Sequence, residues 1–62
     1  MIKIETTTEW ANMVMDVHGS SVEFDTDETN MHCLIARDEM HRQVAYYDAE
    51  FHVGEVCPEP LR

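Results

Sequence analysis

Three observations predict a small α+β fold, an antiparallel sheet with one principal helix. Residues 22–27 alternate apolar and acidic side chains, the period of two expected of a half-solvated strand. Residues 50–56 alternate in the same way ahead of Cys57 and Pro58. Between them Cys33, Ala36, Met40, Val44 and Tyr47 recur at spacings of three or four, which makes one apolar helical stripe.

The element order that follows is strand, strand, helix, strand. Met13, Met15 and Val17 alternate with Val14, Asp16 and His18, and a turn around Gly19 would pair this first strand with residues 22–27. The same segment also carries helical signals. Thr6-x-x-Glu9 is a capping box, Trp10, Met13, Val14 and Val17 fall on one helical face, and Gly19 suits a C-terminal cap. The alternative architecture is therefore an N-terminal helix over 7–18 followed by a three- or four-stranded antiparallel meander.

For residues 28–44 the charge order favours a helix. Asp27 and Glu28 would sit at its positive end, Arg37, His41 and Arg42 towards its negative end, and Asp38 and Arg42 form a favourable four-residue pair. A hairpin pairing 31–37 with 42–47 competes, but neither Gly nor Pro marks a turn at 38–41. In the last strand Phe51 and Val53 share a face, and Gly54 predicts a bulge or a close backbone approach. Pro58 and Pro60 cannot donate ladder hydrogen bonds, so residues 58–62 are expected to form a short extended tail.

A chain of 62 residues reads as a single domain, 1–62, and at that size about 60% of the unfolded surface is buried. Its hydrophobic content of 44% is that of a folded protein rather than of a disordered acidic tail. No run reaches the roughly 18 apolar residues of a membrane span, and residues 1–5 lack the pattern of a signal peptide. A cytoplasmic location is expected, with Cys33 and Cys57 as free thiols.

Motifs for chemistry are missing. The histidines and cysteines show no C-x₂₋₄-C or H-x₃₋₅-H pair, so no metal site is expected, and a small metal-binding domain ranks third among the functions considered. A calcium loop begun at Asp25 would put Asn30 at the turn glycine and Ala36 at the bidentate glutamate. Two glycines cannot build a phosphate-binding loop, and no nucleophile signature surrounds either cysteine. The chain is expected to be neither an enzyme nor a cofactor binder.

Charge is the informative property. Thirteen Asp and Glu against 4 Lys and Arg give a formal net charge of −9, which exceeds the magnitude of about 2 to 8 that serves solubility in a small domain. Direct binding to nucleic acid or to an anionic membrane is disfavoured, because Lys3, Arg37, Arg42 and Arg62 are too few to neutralise phosphates. The opposite partner is favoured: a larger protein or complex with a basic surface. Glu23, Asp25 and Asp27 would project from one strand face at intervals of about 6.6 Å. Glu28 extends the row, Asp16 adds charge, and Trp10 or Tyr46 is a candidate apolar anchor.

In size, acidity and absence of motifs the chain resembles small phage-encoded proteins that block host defence or transcription machinery, including anti-CRISPR and anti-restriction proteins that act as nucleic-acid mimics. The resemblance implies an inhibitor or modulator acting by surface complementarity, and it carries no functional residue across. The alternative is a structural homo-oligomer, a homodimer or a subunit of a larger assembly, using a sheet edge or an apolar strip that includes Met13, Met15, Met31 and Ile35.

Overall fold

Thr6 begins the helix as the capping pattern predicts. Its backbone is extended and its hydroxyl accepts the Glu9 N–H at 3.1 Å, satisfying one of the open donors of the first turn. The computed structural model describes residues 2–58, and in it α1 spans Thr7–His18. Gly19 closes α1 at φ 86°, a conformation that glycine adopts without strain, and donates its N–H to the Met15 carbonyl at 2.8 Å.

Five strands follow the chain as β1 (Ile2–Lys3), β2 (Glu23–Asp27), β3 (Asn30–Arg37), β4 (Gln43–Asp48) and β5 (Val53–Val56). They form one antiparallel sheet in the order β1-β5-β4-β3-β2. The predicted α+β class holds, and of the two arrangements the molecule adopts the one with its helix at 7–18. Residues 13–17 are helical, not a strand, because their apolar side chains serve a helical face: Trp10 and Val14 are fully buried against the sheet.

Residues 28–44 are not a helix. They contribute β3, a turn and the start of β4, and the missing Gly or Pro is replaced by the side chain of Asp38. Its Oδ1 accepts the N–H groups of Met40 at 2.9 Å and Arg42 at 3.0 Å, while Oδ2 accepts from Arg42 Nε at 2.9 Å. His41 takes the left-handed conformation, φ 63°, that the turn demands. The Asp38–Arg42 pair is thus present, but it bridges a hairpin instead of a helical turn.

The other hairpins use the same device. Asp27 Oδ1 accepts the backbone N–H and the hydroxyl of Thr29, and Asp48 Oδ1 accepts the N–H groups of Glu50 and Phe51. Asp27 and Glu28 therefore open a β-turn, not a helix N-terminus. The β4–β5 turn, with His52 at φ 55°, delays the last strand to Val53, so Phe51 lies exposed in the turn instead of sharing a strand face with Val53. The expected tail falls outside the described residues beyond Pro58.

The core lies between α1 and one face of the sheet. Trp10 stacks on Tyr47 at 5.7 Å between centroids and meets Phe24 edge-on at 5.5 Å. Ile4, Val14, Val22, Ala36, Val44 and Ala45 complete this layer. Tyr47 satisfies its buried hydroxyl by donating to the Ile4 carbonyl at 2.7 Å, which ties the N-terminal segment to the sheet. Gly54 gives the predicted close approach, since a Cβ there would lie 2.7 Å from the Tyr46 carbonyl oxygen and 2.9 Å from the Tyr47 ring. No described helix is long and apolar enough to cross a membrane.

Candidate functional site, the open sheet face

Side chains directly opposite on neighbouring strands share a face, so the register sorts the sheet into two surfaces. Phe24, Ala36 and Ala45 belong to the helix side, as do Leu34 and Tyr47. The other face carries Asp25, Ile35, Tyr46 and Glu55 as one row across four strands. A parallel row of Lys3, Val53, Asp48 and Cys33 lies beside it. The helix α1 packs on the first of these surfaces, through β4 and β5, and not on the second.

Carboxylates dominate the open face. Glu23 and Asp25 project from β2, which is an edge strand, Asp48 from β4 and Glu55 from β5, against the cations Arg37 and Lys3. Arg37 reaches Asp25 at 3.5 Å in an exposed pair, which neutralises part of the row at small energetic gain. Asp25 also accepts the Thr26 N–H at 2.8 Å, occupying a donor at the sheet margin. Beside this pair a depression of about 270 Å³ is lined by Asp25, Asp27, Glu28, Ile35, Arg37 and Gln43, among others.

Of the residues expected to carry function, Glu23, Asp25, Asp27 and Tyr46 are brought together on or beside this face. The row is less regular than a plain strand would give, because the register shifts between Thr26 and Asp27. Asp27 and Glu28 flank the β2–β3 turn, and Glu28 is exposed there. Asp16 sits on α1, which covers the opposite face of the sheet, and does not join the cluster. Trp10 is 0% exposed and is a core residue, not a surface anchor. The Met13, Met15, Met31 and Ile35 strip does not form: Met13 and Met15 pack against the core, Ile35 is buried, and Met31 alone is exposed.

Tyr46 and Cys33 form the centre. Tyr46 is opposite Ile35, and Cys33 lies two residues back along β3 on the same face. A phenol standing perpendicular to the sheet would hold its hydroxyl clear of both. The 2.8 Å contact between that hydroxyl and Cys33 Sγ therefore requires the ring to lean along the sheet. Cys33, which this hydroxyl contacts, is 0% exposed, and Ile35, opposite Tyr46, only 7%. The hydrogen bond with Cys33, then burial, then the nearby charges of Asp48 and Asp27 push the Tyr46 phenol from 10.0 up to about 12.

Sequence reasoning missed Glu55, Asp48 and Cys33 as members of this surface. For Cys33 and Asp48 the available signal is alternation with core residues, which emerges only when 31–37 and 43–48 are read as strands, whereas Glu55 lies in the strand already expected over 50–56 and needs only its register. Cys33 and Cys57 are both free thiols, and among the described residues no three His, Cys, Asp or Glu are grouped to hold a metal ion. No family model, curated protein or solved structure matches the chain.

Proposed function

We propose that this protein is a small acidic binding protein that inhibits or modulates a larger protein or complex by docking its open sheet face on a basic surface. The observation that supports it is the convergence of Glu23, Asp25 and Glu55, all exposed, on the sheet face opposite α1 that also carries Tyr46. Such an array partly imitates a run of phosphates, so the favoured target is a nucleic-acid-handling complex, of the kind that phage-encoded inhibitors of host defence or transcription engage. Electrostatic steering makes the encounter fast and salt-sensitive.

The test is capture of partners from nuclease-treated bacterial lysate on the tagged protein, with elution in salt steps from about 0.1 to 1 M, a range over which screening lengths fall from about 10 to 3 Å. A basic nucleic-acid-handling complex, released in the middle steps and lost from an E23K/D25K/E55K variant, is the expected result. Recovery of the bait alone as a salt-resistant oligomer would refute the proposal and assign the function to assembly.

A further inference from the structure

We infer that the open face selects arginine over lysine on its partner, with the Tyr46 ring as the platform on which a guanidinium stacks. The inference rests on the binding proposal above and specifies the chemistry of the partner. Tyr46 is half-buried, and its hydroxyl reaches the sulfur of Cys33, two residues back along β3 from its cross-strand partner Ile35, so the ring lies along the sheet instead of standing upright. A cation over such a ring is attracted by its quadrupole.

The surroundings decide which cation. Glu55 is directly opposite Tyr46 on β5, about 4.8 Å away in the strand-to-strand direction, and Asp48 is two residues along β4 on the same face. A stacked guanidinium is planar and directs its N–H groups outward, towards acceptors on the neighbouring strand such as the exposed Glu55. An ammonium has no plane to lay on the ring. Because it is also held more strongly by water, it gains less from leaving solvent for an aromatic surface. The like charge of Glu55 and Asp48 also disfavours a second copy of this chain on the same surface.

The experiment is a titration of the intact protein with hexa-arginine and hexa-lysine peptides at low salt, followed by NMR of the tyrosine ring protons and by calorimetry. Hexa-arginine is expected to bind about two- to fivefold more tightly and to move the Tyr46 ring signals. In Tyr46→Leu the preference disappears, and in Tyr46→Phe, which keeps the ring, it persists. The wild-type ring signals give the answer even if a variant fails to fold. Equal affinities with unmoved Tyr46 signals would overturn the arginine preference and leave the acidic docking face standing. Failure of both peptides to bind would overturn the docking face itself.

Discussion

The Tyr46 hydroxyl and the Cys33 sulfur are 2.8 Å apart on the sheet face opposite α1, and the thiol is fully buried there. Cys57, by contrast, is half-buried at the end of β5. A thiol reagent is therefore expected to label Cys57 quickly and Cys33 slowly in the native protein. In Tyr46→Ala the Cys33 rate should rise towards that of Cys57. Equal rates for both thiols in the wild type would show that the ring does not cover Cys33.

Alkaline stability follows from the same pair. A phenol raised from 10.0 to about 12 in the folded state favours folding while it is protonated. That contribution is complete below pH 10.0 and is lost as pH rises through about 12. Tyr47 is also raised, by burial and then by the charges of Glu5, Glu9 and Asp48. Spectrophotometric titration should show both tyrosines ionising late, together with unfolding, and an ordinary titration near pH 10.0 for Tyr46 would contradict this.

The acid side depends on the turn carboxylates. Burial opposes ionisation of Asp38, but the N–H groups of Arg42 and Met40 and the Arg42 guanidinium outweigh it and hold the carboxyl below 3.8. Asp27 is lowered by the backbone N–H and then the hydroxyl of Thr29. Both shifts contribute stability that is present above 3.8 and lost as pH falls through the lower folded values. Asp38→Asn should lower the melting temperature at neutral pH and flatten the acid limb, while Asp38→Ala should lower it further by leaving the Met40 and Arg42 N–H groups without their acceptor.

Gly54→Ala should destabilise the protein by about 1–3 kcal/mol, the cost of forcing a methyl into a filled site. The added Cβ meets the Tyr46 carbonyl and the Tyr47 ring at under 3.0 Å, and backbone cannot yield as a flexible side chain would. Denaturant midpoints measure this directly. Trp10→Ala, which empties the centre of the core, is expected to cost about 3–5 kcal/mol. Little effect would return Trp10 to the surface.

The fold is legible at residues 22–27, where the period-two pattern acts alone and the acidic strand is present. Over 7–18 the capping residues Thr6, Glu9 and Gly19 mark the helix that is present, but the alternation of Met13, Met15 and Val17 equally suits the strand of the leading arrangement. The middle misled because its cues serve two structures. Asp38 and Arg42 are four apart, which suits a helix, yet the same separation closes the β3–β4 turn once the Asp38 carboxylate holds the Met40 and Arg42 N–H groups. Tyr46 emerged as the outward tyrosine because neighbouring residues diverge in a helix and in a strand alike. Glu55 and Asp48 were invisible as its neighbours, because the cross-strand register that places them is a long-range property of the sheet.

The turn role of Asp27 separates structural carboxylates from candidate binding ones. Reversing Asp27 would disturb the β2–β3 hairpin, so the binding test uses Glu23, Asp25 and Glu55, all exposed. The most direct measurement compares the partner affinity of E23K/D25K/E55K with that of E5K/D16K/E39K, which makes the same change in net charge off the open face. Circular dichroism verifies that both are folded. The first variant is expected to lose binding by at least about a hundredfold, on the scale of charge pairs contributing about 1 kcal/mol or more each, and the second to lose only the small part due to net charge. Equal losses in the two variants would mean that charge acts without a site, and would contradict the docking face.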